Sequence, residues 1–178
     1  MNSAICLSPY PLRQRSEPWG ELKIMKTNAI RILESHNVEL CAIEYSFNEE
    51  EIDAISVAKK IDVEPEIVFK TLVARNERNE ILVFVIPGNF ELNLKKAASA
   101  SGSKNIEMIK VKELQPLTGY IRGGCSPIGM KKLFPTFIDE TAQLHNKIYC
   151  SAGVRGMQIK VAPNDLRMVV NAQYADLI

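Results

Sequence analysis

One lysine interrupts the run Ile67-Val68-Phe69-Lys70-Thr71-Leu72-Val73-Ala74, which otherwise reads as buried strand. Alternate side chains of a strand face opposite sides of the sheet, so Phe69, Thr71 and Val73 share one face and Lys70, Leu72 and Ala74 the other. Both faces are largely apolar, which leaves Lys70 no obvious solvent side. An ammonium taken out of water without partners is costly. Two readings stand at this point: the stem packs while the amine snorkels to water at an edge, or the charge is held in place for chemistry.

The second unusual stretch is Gly119–Gly129, "GYIRGGCSPIG", with four glycines and one proline between well-patterned elements. Such a loop lets backbone approach a ligand closely and can direct N–H groups at one oxygen, as an anion nest or oxyanion site. A tight turn with a bulge needs glycine equally. The spacing fits neither the Walker pattern nor the dinucleotide fingerprint, so no nucleotide cofactor is expected. Cys125 and Ser126 lie in this loop, but neither has an assigned base, and a GxSxG elbow is absent. His36 sits near a helix end and His145 in a polar stretch, both expected at the surface. Cys125 is therefore expected to line or pack the loop. A second small-residue segment, Ser151-Ala152-Gly153-Val154-Arg155-Gly156, is either a hairpin connection or a second pocket wall.

A chain of 178 residues predicts one domain. A net charge of +1 argues against a polycationic tail, though not against a local basic patch. No apolar run approaches the roughly 18 residues of a membrane span. Cys6, Cys41, Cys125 and Cys150 form no CxxC pair, and with only two histidines beside them no metal site is expected. Reduced thiols in a cytoplasmic protein are predicted. Residues 1–24 carry three prolines and no helical or alternating pattern. They are expected to be an N-terminal extension outside the fold, with Met25 as the physiological start and the domain spanning 25–178.

Periodicity predicts helices over 26–37 and 52–61, a strand over 40–45, and a short helix entered at Pro65. Strands Phe69–Ala74 and Ile81–Ile86 flank the polar turn "RNERNE" as a hairpin. Asn93 caps a helix through Ala100, closed by Gly102. A strand over 106–109, a helical turn over Val111–Leu117 ending near Pro116, strands near 136–139, 147–151 and 158–161, and a helix from Pro163 complete the pattern. Helices and strands intermix without regular β-α alternation. The predicted class is α+β, one compact domain with a mixed, largely antiparallel sheet flanked by helices.

Taken together, "VFKTLV" (68–73), "LNLKKAA" (92–98), "TGYIRGGCSPIGMKK" (118–132) and "IYCSAGVRG" (148–156) resemble the YbaK family of aminoacyl-tRNA deacylases. These are free-standing relatives of the editing domain inserted in bacterial prolyl-tRNA synthetases. The resemblance runs from Met25 to Ile178 and leaves the leading 24 residues outside it. It implies cleavage of mischarged tRNA, foremost Cys-tRNA(Pro) and with Cys-tRNA(Cys) as a further candidate, with no cofactor. It also implies that Lys70 is the family's essential lysine and that Gly123 and Gly124 approach the aminoacyl group. Tyr45 falls on a pocket-lining tyrosine and Ser151 on a small hydroxyl residue across the pocket. The expected catalytic pair is Lys70 and Gly123. The expected substrate-binding set is Tyr45, Gly124, Cys125, Ser126, Pro127, Gly129, Ser151 and Gly153. Ala152 stands where the motif often reads glycine, and Gln158 where some members are acidic; both bear on pocket size or polarity. In the YbaK type the cysteinyl thiolate attacks its own carbonyl, giving a cyclic thioester and free tRNA.

The expected partners are the acceptor end of an aminoacyl-tRNA and prolyl-tRNA synthetase. Lys95, Lys96, Lys104, Lys110, Lys112, Arg122, Lys131 and Lys132 outnumber Glu107 and Glu113 over 95–132, a local excess able to hold a phosphate backbone. A solvated mixed face reads the same way. Three alternatives stand beside the leading reading: a sister deacylase acting on Ala-tRNA(Pro) or another mischarged tRNA, a non-catalytic tRNA- or synthetase-binding module, and a Schiff-base enzyme using Lys70.

Overall fold

The computed structural model describes residues 4–7, 25–49 and 51–178. Strand β1 (Ala4–Leu7) and helix α1 (Asn28–Ser35) precede strand β2 (Leu40–Glu44) and helix α2 (Ala54–Lys60). A 3-10 turn at Pro65–Ile67 feeds the hairpin β3 (Phe69–Asn76) and β4 (Ile81–Pro87). Next come α3 (Leu94–Ala100), β5 (Ile106–Met108) and α4 (Val111–Thr118). Beyond the glycine-rich loop lie β6 (Thr136–Asp139), a 3-10 turn at Glu140–Leu144, β7 (Ile148–Ser151), β8 (Met157–Val161), α5 (Pro163–Val169) and β9 (Gln173–Ala175).

The strands form two sheets, ordered β1-β2-β8-β7 and β5-β3-β4-β6-β9. The first is antiparallel throughout; in the second, β6 runs parallel to β4 and β9. This is the expected α+β class with largely antiparallel pairing. Phe69, Val73, Val83 and Val85 on one face of the hairpin meet Leu40, Ala42, Cys150 and Ile159 of the other sheet. Leu82, Phe84 and Ile86 on the opposite face pack with Ala97 and Ala98 of α3. The continuous apolar run of β4 follows from burial on both faces. A single parallel bridge, Val68 to Tyr149, brings the start of β3 beside β7.

Four features depart from the expectations. Helix α4 runs through Pro116 to Thr118, one residue beyond the expected Leu117. The amide that Pro116 lacks is offset in the last turn, where Thr118 Oγ1 donates to the Leu114 carbonyl at 2.7 Å and the Gly119 N–H to that of Gln115 at 2.9 Å. Strand β9 has no apolar run of its own and owes its extension to pairing with β6. The placement of residues 1–24 outside the fold fails at Ala4–Leu7, which pairs antiparallel with the free edge of β2; residues 1–3 and 8–24 lie outside the described residues. Cys41 is disulfide-bonded, whereas Cys125 and Cys150 are free thiols, so the expectation of reduced thiols fails at Cys41. The register sets the backbone of Cys6 directly opposite Cys41.

Helix α2 forms part of the wall described below, and its start is fixed by Asp53. One carboxylate oxygen accepts the Ser56 N–H at 2.9 Å and the other the Ser56 hydroxyl at 2.7 Å. Those bonds, the hydroxyl first, hold the Asp53 pKa below the usual aspartate value. A depressed folded-state pKa gives stability that is present above the unfolded value and lost as pH falls through the folded one. Replacing Asp53 by Ala is expected to cost about 1 kcal/mol at neutral pH, as for other helix N-caps. In urea unfolding, that difference from wild type should vanish in acid.

Candidate active site

Lys70 stands in the second position of β3, opposite Ile86 of β4. Its ammonium donates to the Gly88 carbonyl at 3.3 Å and to Glu91 Oε1 at 3.1 Å. The Lys70 side chain is 23% exposed and that of Glu91 93%, so the ion pair is well screened and readily exchanged for another partner. Lys70 therefore snorkels, as the first reading required, and it does so into the wall of a cavity. Gly88 makes this possible, because a Cβ there would stand 2.4 Å from Ala54 Cβ and push α2 away. Its N–H holds the Val68 carbonyl at 2.7 Å, closing the turn below the lysine.

The cavity has a volume of about 360 Å³, room for an aminoacyl group. Its polar wall is Lys70, Thr71, Asp53, Glu91, Arg122, Ser151 and Gln158, with Gly123 and Cys125 from the glycine-rich loop. Ile52, Val57, Val68 and Leu72 supply apolar surface. Ser151 and Gln158 are cross-strand neighbours on β7 and β8. Thr71 Oγ1 and Gln158 Oε1 are buried and have no hydrogen-bond partner among the described residues. Oxygens left this way cost about 1–3 kcal/mol each; in a cavity wall the Gln158 oxygen can accept a hydrogen bond and the Thr71 hydroxyl can accept or donate one.

Burial pushes the Cys125 thiol up to about 12, so at neutral pH it is protonated and a poor nucleophile. Neither histidine lines the cavity. His36 closes α1 with Nδ1 2.9 Å from the Ile32 carbonyl, and His145 ends the second 3-10 turn.

Of the residues expected from sequence, Lys70, Gly123, Cys125 and Ser151 line the cavity. Tyr45, Gly124, Ser126, Pro127, Gly129 and Gly153 do not; they build the frame behind it. A Cβ on Gly124 would lie 3.1 Å from the backbone of Val154 and Arg155, so this glycine is where the two loops touch. Gly129 packs beneath α1, its carbonyl accepting from Asn28 Nδ2 at 3.3 Å. Gly153 abuts the Tyr120 ring, whose hydroxyl donates to the Ile128 carbonyl at 2.5 Å and braces the loop from inside. The Ser126 hydroxyl is fully buried and accepts the Ile128 N–H at 3.2 Å, and Pro127 is buried beside it. The Tyr45 N–H donates to the Gly156 carbonyl at 2.9 Å, and its side chain packs against α2. Thr71, Asp53 and Glu91 were absent from the expected set. Thr71 follows the lysine and is uncharged, which left no signal beyond its position.

The aminoacyl-tRNA editing domain pattern matches residues 49–169. The protein EbsC of Enterococcus faecalis (strain ATCC 700802 / V583), provisionally named a Cys-tRNA(Pro)/Cys-tRNA(Cys) deacylase, is 49% identical over 152 residues, 85% of this chain and 93% of EbsC. A proline–tRNA ligase of Brachyspira hyodysenteriae (strain ATCC 49526 / WA1) is 33% identical over 72 residues, 40% of this chain but 12% of the ligase. A crystal structure provisionally described as a trans-editing enzyme for prolyl tRNA synthetase superposes with a TM-score of 0.71 at 25% identity, covering 83% of this chain and 92% of the other. The chain belongs to the aminoacyl-tRNA editing domain family.

Proposed function

We propose that this chain is a trans-editing deacylase that frees tRNA(Pro) from mischarged cysteine. The observation that carries the reading is the convergence of Lys70, Gly123 and Ser151 on one cavity of aminoacyl size. The 49% identity to EbsC supports cysteine as the amino acid. The bond to be cut is the ester between the amino acid and the terminal ribose. Its transition state places negative charge on the former carbonyl oxygen, where backbone N–H groups of the glycine loop can receive it. A charged lysine is a poor general base, and the role assigned to Lys70 is to position the ester and hydrogen-bond one of its oxygens.

Among the described residues the cavity wall supplies no activated nucleophile, since Cys125 is protonated and no histidine lines it. This supports substrate-provided attack. The cysteinyl sulfur, as thiolate, bonds to its own carbonyl carbon; the ester C–O bond breaks; the ribose oxygen takes a proton; and a cyclic thioester leaves free tRNA. Water later opens the thioester to cysteine. Alanine and proline lack the thiol, so selectivity arises from chemistry as well as fit. Gln158, whose buried Oε1 has no partner among the described residues and which lines the cavity, leaves a sister specificity as the second reading.

For the tRNA, Lys95, Lys104, Lys112, Arg122, Lys131 and Lys132 are exposed and their side chains form no ion pair among the described residues. Lys96 is engaged by Asp176 and the Ile178 carbonyl, and Glu113 by Arg75. The acceptor end would lie across this face, with prolyl-tRNA synthetase as the companion that delivers it. No helix among the described residues is long and apolar enough to cross a membrane, and the reading assigns the protein to the cytoplasm, where tRNA is charged.

The deciding experiment follows release of labelled amino acid from Cys-tRNA(Pro), Ala-tRNA(Pro) and Pro-tRNA(Pro) by wild type and Lys70→Ala. Loss of cysteine alone, abolished in the variant with its fold intact, is the expected result. Loss of alanine keeps a deacylase but discards thiol attack, and no loss at all favours a binding module. Iodoacetamide at neutral pH should leave Cys125 unmodified in the native protein and label it on unfolding; rapid native labelling with loss of activity would reinstate a cysteine nucleophile. Binding of tRNA should weaken as salt rises, and Lys131→Ala and Lys132→Ala should each lower the salt slope by about one. A slope unchanged in both variants would move the tRNA off this face.

A further inference from the structure

Arg155 ties together three segments that the proposed reaction needs in register. Its Nε donates to the Arg122 carbonyl at 2.9 Å, across the gap between the two glycine-containing loops. Its Nη1 reaches Glu49 Oε1 at 3.2 Å, and its guanidinium carbon lies 5.1 Å from the centre of the Phe47 ring. The Nε bond to the Arg122 carbonyl is the contact that joins the loops, and the Glu49 pair, 81% exposed on its carboxylate side, adds little to it.

That carbonyl shares a peptide plane with the Gly123 N–H. In a trans peptide the C=O and the N–H point in opposite directions, so holding one fixes the other. The Gly123 N–H has no acceptor among the described residues, whereas the next amide, that of Gly124, is taken by the Ile121 carbonyl at 3.0 Å. Gly123 lines the cavity with Lys70 and Ser151. It adopts a φ of 84°, in the region where glycine meets little steric resistance. A peptide ending in such a residue can rotate at small cost. Rotated, it would aim the Arg122 carbonyl where negative charge is to develop.

Resting on the deacylase reading above, we propose that Arg155 is the positioning residue of this site: it clamps the Arg122 carbonyl so that the Gly123 N–H faces the cavity and receives the oxyanion of the scissile ester. The guanidinium also polarises the peptide it holds, which strengthens the N–H as a donor. The role is the same whether sulfur or water attacks, because both routes put charge on the same oxygen.

The test compares Arg155→Ala and Arg155→Lys with wild type in the deacylation assay, reading kcat and KM separately, together with a crystal structure of Arg155→Ala. Removing an oxyanion donor lowers kcat by about 10²–10³, and releasing its clamp should cost roughly tenfold to a hundredfold. KM should change less than about threefold, because an interaction made only in the transition state is lost. Lysine keeps the charge but lacks the Nε–H, so Arg155→Lys should not restore kcat, and it serves if the alanine variant fails to fold. In the Arg155→Ala crystal the Arg122–Gly123 peptide should be rotated or split between two orientations. A retained orientation, or a loss confined to KM, overturns the proposal. A wild type inactive on every substrate overturns the deacylase reading instead; the peptide orientation then decides the clamp independently.

Discussion

Burial of the β3–β4 hairpin on both faces decides where anything polar can go. One face meets the four-stranded sheet and the other meets α3, so its central positions are apolar or small on both sides. A charged group can survive only where the hairpin runs out. Lys70 occupies that place, one residue into β3, with the Pro87–Gly88 corner opposite and the Val68–Tyr149 bridge beneath. The bridge joins the two sheets at the same end, which is why a residue of β7, Ser151, shares a cavity with a residue of β3. Doubly buried sheet, end-placed lysine and inter-sheet cavity are one arrangement.

The rest of the wall is backbone brought close by the absence of side chains. Gly88 lets α2 settle onto the hairpin corner, and Gly124 lets the two loops meet at van der Waals distance. Neither needs to touch a substrate to matter. The chain then braces these contacts with a few long-range hydrogen bonds: Tyr120 within the first loop, Asn28 from α1, and Arg155 between the loops. A site made largely of backbone depends on such braces, because peptide groups carry their chemistry only as orientation.

Much of this was legible in the sequence, and the divide between what was and was not is physical. A lone charge in an apolar strand is conspicuous, and Lys70 stood out for that reason. The hairpin and most helices announce themselves by period and caps. Strand β9 does not, since its extension is conferred by β6. No spacing of the four cysteines marks Cys41 as disulfide-bonded. Spacing marked both loops but could not tell wall from frame: Gly123 and Cys125 face the cavity, while Gly129 and Gly153 pack away from it. Arg155 reached its role through an acceptor 33 positions away in the chain.

Thr71 and Gln158 carry a consequence for how the empty protein relates to its occupied form. Their buried oxygens make no hydrogen bond in the fold itself. Polar groups at these two positions stabilise the fold less than apolar residues of the same shape would. A ligand presenting N–H or O–H groups to both oxygens removes that deficit on entry, so part of its affinity was set aside when the chain folded. Selection for a more stable scaffold would press toward valine or leucine at these two positions, and selection for recognition would press against it.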